Sequence, residues 1–272
     1  MVRSLWTAAT GMIAQQTNLD TIANNLANVN TQGFKTQVNE FKTLLYQTLQ
    51  TKTTTANGEQ KPTSAQVGLG VRNSAISTIF KQGNALASES DTAFMIDGKG
   101  FFAVRGADGN TYYTRNGNFQ FTLASNGGNM LANEDGLPVL DTNGRPIILN
   151  QNYIVSNVTV SGDGELCYPD AKNNPQPMGI RIALFQFNNP NGLNRLADTL
   201  YEQTAASGQP INEATSTGVE KSKVIQNYLE GSNVQVVDEM VNMIVAQRAY
   251  ELNSKAITAS DEMLQQANNL RR

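Results

Sequence analysis

The stretch from Leu229 to Leu270 constrains the fold more than any other part of the chain, because its apolar residues recur at helical spacing without a break. A helix of roughly 36 residues is about 50 Å long. Such a helix needs apolar partners on two faces, unless it is one long core helix of an ordinary globular domain. The first apolar stripe consists of Val234, Val237, Val241, Val245, Ala249, Leu252, Ala256, Ala259, Met263, Ala267 and Leu270. The second consists of Val236, Met240, Met243, Tyr250, Ile257 and Leu264.

Residues 1–33 show a similar pattern at the other end of the chain, with steps of three and four that are typical of an apolar heptad repeat. The residues of this repeat are Leu5, Ala8, Met12, Gln15, Leu19, Ile22, Leu26 and Val29, and Trp6, Ala9, Ile13 and Ala23 widen the apolar face. The simplest closed arrangement pairs the two terminal helices. We therefore predict that the N- and C-terminal helices pack as a coiled coil.

Local signals predict where these helices begin and end. Gly231-Ser232-Asn233 offers N-cap side chains for the C-terminal helix, and Asp238 and Glu239 place negative charge near its first turn. Gly33 suits a left-handed cap after the N-terminal helix.

Between residues 94 and 228 the apolar residues alternate with a period of two, and Gly-containing turn pairs such as Asn116-Gly117 separate the runs. This pattern predicts a hairpin-rich, all-β middle domain inserted between the helices, so the fold class is α+β. The predicted strands begin at Phe94, Phe101, Thr111, Phe119, Pro138, Ile180, Thr199 and Val224, and a further hairpin centres on Ser161-Gly162-Asp163-Gly164.

The segment 34–93 is predicted to link the helical domain, residues 1–33 and 229–272, to the β domain. Asn39 to Leu49 could extend a helix, and the polar stretch Thr51 to Ala65 predicts a loop or an exposed hairpin that turns near Asn57-Gly58. Gln66 to Arg72 and Ala75 to Phe80 are typical of extended chain.

Composition removes most catalytic classes. The chain has no histidine, which excludes Ser-His-Asp and Cys-His catalysis and the usual zinc sites, and its single cysteine, Cys167, excludes an internal disulfide. A net charge of −3 gives no sign of a nucleic-acid or anionic-membrane partner. There is no apolar run of about 18 residues and no cleavable signal pattern, so neither membrane insertion nor signal cleavage is predicted.

Two motifs suggest chemistry only weakly. Gly98-Lys99-Gly100 lacks the spacing and the following helix of a phosphate loop. Asp163 and Glu165 resemble paired carboxylates of a glycan hydrolase, but a solvated hairpin tip explains them as well. We predict no catalytic residue, no metal and no cofactor, and keep the hydrolase as the distant alternative.

Both ends of the chain resemble the signatures of the flagellar axial proteins, the rod and hook subunits of the bacterial flagellum. The motifs that carry the resemblance are Asn24-Asn25-Leu26-Ala27-Asn28-Val29-Asn30-Thr31-Gln32-Gly33-Phe34-Lys35, Ser232-Asn233-Val234, Asp238-Glu239-Met240-Val241, Gln247-Arg248-Ala249-Tyr250-Glu251, Asn253-Ser254-Lys255 and Asp261-Glu262-Met263-Leu264. In the middle, Ile96-Asp97-Gly98-Lys99-Gly100-Phe101-Phe102 and Tyr113-Thr114-Arg115-Asn116-Gly117 are similar to motifs of the family's β domain.

The resemblance implies a non-enzymatic subunit that polymerises with itself into a tube. A segment of the length and place of residues 47–72, closing on Gly68-Leu69-Gly70-Val71-Arg72, favours the distal rod over the alternatives, a proximal rod or hook subunit. The implied partners are proximal rod and hook subunits, the surrounding L and P rings, and the flagellar type III export apparatus, and the implied location is the periplasmic part of the basal body. The predicted subunit-packing residues are Leu5, Met12, Leu19, Ile22, Leu26, Val29, Val234, Val237, Val241, Met243, Val245, Tyr250, Leu252, Ile257, Met263, Leu264 and Leu270.

Overall fold

Long α-helices begin and end the chain, and short β-strands form the structure between them, which confirms the α+β fold class. This computed structural model describes residues 2–50, 65–124, 127–151, 153–170, 174–197 and 199–270. The helices are α1 (Val2–Ala27) and α2 (Val236–Asn269). The strands are β1 (Gln37–Thr43), β2 (Tyr46–Gln50), β3 (Ala65–Gly68), β4 (Val71–Thr78), β5 (Ala85–Ala87), β6 (Phe94–Asp97), β7 (Phe101–Arg105), β8 (Thr111–Thr114), β9 (Gln120–Leu123), β10 (Asn129–Ala132), β11 (Ile148–Leu149), β12 (Thr159–Val160), β13 (Glu165–Pro169), β14 (Pro175–Arg181), β15 (Leu184–Gln186), β16 (Asn194–Arg195), β17 (Leu200–Glu202), β18 (Ile211–Asn212), β19 (Lys223–Gln226) and β20 (Tyr228–Glu230).

The chain divides into two compact units. The helical unit comprises Met1–Ala27, Gln37–Thr78 and Gln235–Arg272, and the β unit comprises Asn28–Thr36 and Ile79–Val234. This division differs from the predicted boundaries at 33/34, 93/94 and 228/229. The reason is tertiary packing: β1 and β4 pack on α1, whereas Lys35 and Glu230 are buried inside the β unit.

In the helical unit, β1 pairs antiparallel with β4, with a bulge between Glu40 and Phe41, and β2 pairs antiparallel with β3. The helix extension predicted for Asn39 to Leu49 is therefore wrong, because the backbone of this segment is paired in sheets. The extended chain predicted for residues 66–72 and 75–80 is confirmed for the most part by β3 and β4. The predicted turn at Asn57-Gly58 lies outside the described residues.

The β unit is built around a six-stranded sheet with the strand order β16-β17-β8-β7-β15-β18. Its main core is made of side chains that are almost completely buried, among them Ile96, Phe102, Leu131 and Val139. A second cluster surrounds Phe101, whose ring meets those of Phe80, Phe187 and Tyr201 at centroid distances of 5.6–5.8 Å, edge to face. This unit thus has apolar cores of its own, although a few apolar side chains such as Leu123 and Ile154 remain exposed.

Most of the predicted strands in the middle of the chain are confirmed. The runs predicted at Phe94, Phe101 and Thr111 are β6, β7 and β8, and the hairpin at Ser161-Gly162-Asp163-Gly164 joins β12 to β13. The run that begins at Ile180 was predicted as one strand but is divided into β14 and β15. These two strands join different sheets, because β14 pairs with β13 and β15 pairs with β7.

The start of α2 differs from the prediction. The helix begins after Gln235, and no side chain caps it there. Asn233 has a different role within the β unit, since its Oδ1 accepts hydrogen bonds from the N–H and the hydroxyl of Thr36, both at 2.7 Å. Its Nδ2 donates to the carbonyl oxygens of Ile79 and Lys81 at 2.9 and 3.0 Å. Asn233, which was predicted to cap α2, therefore joins the segment at Thr36 to the segment at Ile79–Lys81.

Candidate functional site

The two terminal helices lie side by side and antiparallel in the helical unit. Ser4 Oγ lies 3.4 Å from Ser260 Oγ near one end, and Asn25 Nδ2 donates to Glu239 Oε2 at 3.4 Å near the other. Between these contacts, a Cβ placed on Gly11 would stand 2.8 Å from Nδ2 of Asn253. Small and polar residues thus form contacts along the whole line between the two helices.

The first apolar stripe of α2 faces away from these contacts. Six of the predicted packing residues in this stripe are between 50% and 89% exposed, which is unusual for large apolar side chains that follow a helical period. They are Val237, Val241, Val245, Leu252, Met263 and Leu270. Val234, the first predicted member of the stripe, precedes the helix and is buried in the β unit.

The second stripe of α2 is more enclosed toward the C-terminal end of the helix. Met243, Ile257 and Leu264 are half-buried, whereas Val236 and Tyr250 are 39% exposed and Met240 is 52% exposed. On α1 the predicted residues are also enclosed, since Ile22 is buried and the others are half-buried. These half-buried residues are Leu5, Met12, Leu19 and Leu26, and Val29 is half-buried in the β unit.

The outer face of α1 carries two more exposed apolar residues. Trp6 is 66% exposed and Ile13 is 64% exposed, one heptad further along the helix. Together with the first stripe of α2 they form the exposed apolar surface of the helical unit. A surface of this kind marks a site of protein–protein contact.

A buried charge cluster lies in the β unit, where sequence patterns had not indicated one. Glu230 binds Lys35 Nζ at 2.5 Å and Arg115 Nη1 at 3.2 Å, and all three side chains are at most 2% exposed. Lys35 Nζ also donates to the carbonyl oxygen of Lys81, and the N–H of Gly83 donates to Glu230. The cluster ties the segment after α1 and the segment before α2 to the β unit.

The electrostatics of this cluster are set by burial. Desolvation lowers the pKa of Lys35, and the Glu230 carboxylate opposes that shift. Desolvation lowers the pKa of Arg115 in the same way, again opposed by Glu230. One carboxylate therefore holds two buried cations, so the loss of Glu230 would leave both without their counter-ion.

The two weak motifs take part in structure. Gly98 has a φ of 135°, and its carbonyl oxygen accepts a hydrogen bond from Arg115 Nη2 at 2.6 Å. The N–H of Gly100 donates to Ser222 Oγ at 3.0 Å. Glu165 forms an ion pair with Arg181 at 3.4 Å. These contacts support a β-turn and a hairpin strand.

Within the described residues, neither helix combines the length and the apolar character that crossing a membrane requires.

Three protein families match parts of this chain. Residues 5–35 match the flagella basal body rod protein family, residues 95–168 match the D1 domain of the flagellar hook protein FlgE/F/G family, and residues 225–270 match the C-terminal family of flagellar basal body rod FlgEFG proteins. These matches cover both terminal helices and much of the β unit.

Relatives match over the full length. The flagellar basal-body rod protein FlgG of Borreliella burgdorferi is 44% identical over 100% of both chains. FlgG of Buchnera aphidicola subsp. Schizaphis graminum is 42% identical over 99% of this chain and 100% of that protein. A solved structure, the Helicobacter pylori flagellar hook protein FlgE2, is 14% identical over 65% of this chain and 47% of that chain, with a TM-score of 0.23 that is too low for a structural comparison. The chain therefore belongs to the FlgG family of flagellar basal-body rod proteins, whose members are structural subunits of the distal rod and not enzymes.

Proposed function

We propose that copies of this chain polymerise through their terminal helices into a stiff tube, the distal rod, which transmits torque to the hook. The observation that supports this most is the exposed apolar surface of the helical unit. Its side chains keep a helical period over most of α2, yet the chain itself leaves them in water. A second copy of the chain, meeting this surface with a different patch of its own, is the partner that fits a helical homopolymer.

The energetics favour association through this surface. Burial of one large apolar side chain contributes about 1.5–3 kcal/mol, so six of them give on the order of 10 kcal/mol per copy. Association opposes this with lost translational and rotational freedom and with ordered side chains. Each copy in a tube meets several neighbours, and the same face is therefore buried many times along the polymer.

In this arrangement α1 and α2 pack as a coiled coil, and the helices of neighbouring copies cover their outer faces. The predicted packing residues fall into two groups by position. The half-buried residues, such as Leu19 and Ile257, would pack within one chain, and the exposed residues, such as Val241 and Leu252, would pack between chains. This division explains why one helix carries two apolar stripes.

We expect the terminal helices to order fully only when copies assemble. Most of the predicted packing residues of α1 and α2 are half-buried or exposed within one chain, so pairing the two helices leaves much apolar surface for neighbouring copies to cover. Circular dichroism at 222 nm on dilute chain and on sedimented polymer tests this expectation. Helix content should rise clearly on polymerisation, and full helix content in the dilute chain would refute coupled folding.

Membership of this family supports a proposal for the location and the remaining partners. We place the subunit in the periplasmic part of the basal body, between proximal rod and hook subunits and inside the L and P rings, without membrane insertion. We propose export through the flagellar type III apparatus without cleavage, so that α1 stays in the mature subunit. N-terminal sequencing of subunits from isolated basal bodies tests this, and a missing α1 would contradict it.

The substitution Leu252→Asp tests the proposed function directly. Leu252 is 65% exposed, so a carboxylate there leaves the folded chain intact but would be desolvated at a subunit contact. We expect polymer to disappear in sedimentation and electron microscopy, while a protease-resistant core that spans the β unit remains. Gln247→Asp is the matched control, since it adds the same charge at an exposed polar position of α2. Normal polymer from Leu252→Asp would contradict the proposal.

A further inference from the structure

The polar contacts between α1 and α2 repeat in steps of seven residues on both helices. Ser4, Gly11 and Asn25 lie opposite Ser260, Asn253 and Glu239, and the same steps place Asn18 opposite Ala246. Asn18 and Ala246 line one cleft of the helical unit, in agreement with this pairing. We call these four pairs the seam. The apolar residues of both helices lie to the sides of the seam.

A seven-residue repeat alone permits several alignments. Sliding one helix by one heptad, about 10 Å, brings new seam residues opposite each other with the same spacing. The outer apolar residues of α2 would then move by the same distance along α1. Small residues such as Ser4 and Ala246 would accept such a shift, because they neither collide nor lose a specific partner.

Two seam pairs do not accept the shift. Asn25 is 1% exposed, and its side chain exchanges two hydrogen bonds with the backbone of Gln37, at 2.8 and 2.9 Å. With its orientation fixed in this way, Asn25 Nδ2 also reaches Glu239 Oε2 at 3.4 Å, and Glu239 is 8% exposed. A shift by one heptad would separate the buried carboxylate from this donor.

The second pair, Gly11 and Asn253, opposes the shift through the shapes of its two residues. Asn253 fills the space that the missing side chain of Gly11 leaves, and a Cβ on Gly11 would stand 2.8 Å from Nδ2 and 3.1 Å from Cγ of Asn253. A shift by one heptad would place Gly11 against Ala246 or Ser260 and Asn253 against a residue with a side chain. The gap and the side chain that fills it therefore match in one alignment only.

We propose that the seam is a register lock. Gly11, Asn25, Glu239 and Asn253 are the specificity-determining residues that select one alignment of α1 on α2. The selected alignment fixes the pattern of exposed apolar side chains that a second copy of the chain meets. The inference rests on the proposed function, because the register matters only if neighbouring copies bind the exposed apolar surface.

Disulfide formation across the seam tests the lock. In a Cys167→Ser background, the substitutions Ser4→Cys and Ser260→Cys put two thiols where hydroxyl oxygens lie 3.4 Å apart, close enough for a disulfide. Soluble chain and polymer are oxidised in parallel, and non-reducing gels separate intrachain disulfides, which run as monomer, from interchain dimers. We expect rapid intrachain disulfide formation in the polymer of this parent.

Further substitutions in this parent first disrupt the contacts of the seam and then restore them. Glu239→Ala removes the acceptor and Gly11→Asn fills the gap, so each should lower the rate of intrachain disulfide formation several-fold. Glu239→Gln keeps an acceptor oxygen and should retain the parent rate, as should the exposed control Gln16→Ala. The swap Gly11→Asn with Asn253→Gly exchanges the gap and the side chain across the seam and should restore the rate.

The results that would overturn the lock are specific. One is intrachain disulfide formation at the rate of the parent in both Glu239→Ala and Gly11→Asn. Another is a swap variant in which this rate does not recover, and the third is a parent that forms mainly interchain dimers. A parent that never polymerises would instead contradict the proposed function. A parent that polymerises normally but gives any of the disulfide results above contradicts the lock alone, so the two failures are distinguishable.

Discussion

The two units of this chain place their polar and apolar residues in opposite ways. The β unit buries aromatic rings around Phe101 and even encloses three charged side chains at Glu230. The helical unit has a line of small and polar residues between its helices and exposes large apolar side chains such as Leu252. The β unit therefore has an apolar core of its own, whereas we propose that the helical unit buries its exposed stripe against other copies.

This difference shows how one chain can serve both as a folded subunit and as an assembly element. We expect the β unit, with its internal core, to keep its shape before and after assembly. We expect the helical unit, with its exposed apolar surface, to gain stability when copies assemble. Substitutions in the two units should consequently differ in what they disturb.

The largest effect is expected in the β unit, from Glu230→Ala. Removal of this carboxylate leaves Lys35 and Arg115 buried without a counter-ion, which destabilises a protein by about 3–5 kcal/mol. Urea unfolding followed by near-UV circular dichroism should show a midpoint more than about 1 M lower. Glu230→Gln, which keeps acceptor atoms without the charge, separates the loss of charge from the loss of hydrogen bonds.

The matched control for this prediction is the exposed ion pair of α2. Arg248 and Glu251 are 2.8 Å apart, but their side chains are 74% and 51% exposed. Exposed pairs on one helix contribute about 0.3–0.5 kcal/mol, so Arg248→Ala should leave the urea midpoint almost unchanged. Equal effects of Glu230→Ala and Arg248→Ala would break the contrast between the units.

A smaller effect is expected from alkaline pH, again in the β unit. Burial raises the pKa of Tyr113 and of Tyr201 to about 12, whereas a tyrosine in the unfolded chain has a pKa of about 10. The unfolded state therefore releases these protons first, so stability is full below about pH 10 and falls as the pH rises to about 12.

Unfolding by urea at several pH values between 9 and 12 measures this decline. The double substitution Tyr113→Phe with Tyr201→Phe keeps both rings in the core but removes the titrating hydroxyls. It should flatten the decline, and a slope equal to that of the parent would show that other groups cause it.

The apolar period predicted both helices and the two faces of α2, and the turn pairs predicted most strands of the β unit. The period could not predict which face of α2 meets α1. Burial in a single chain usually favours the apolar face, but here Ala246 and Ser260 are buried while Val237 is exposed. The heptad of small and polar residues from Ser4 to Asn25 was a visible signal of this reversal.

Contacts between distant residues could not be predicted from local patterns. Lys35 and Glu230 are separated by 195 positions, and neither lies in a charge pattern that points to the other. The strand β1 was mistaken for a possible helix because its pairing with β4 and its packing on α1 decide its structure. The unit boundaries depend on the same tertiary contacts.

The most direct test of the central claim is the accessibility of the exposed apolar surface before and after assembly. In a Cys167→Ser background, Val241→Cys places a thiol at a position of α2 that is 54% exposed in the single chain. The rate of alkylation by a maleimide is measured on soluble chain and on polymer. We predict rapid alkylation of the soluble chain and at least about tenfold slower alkylation of the polymer, and equal rates in both would contradict the claim that neighbouring copies bury this surface.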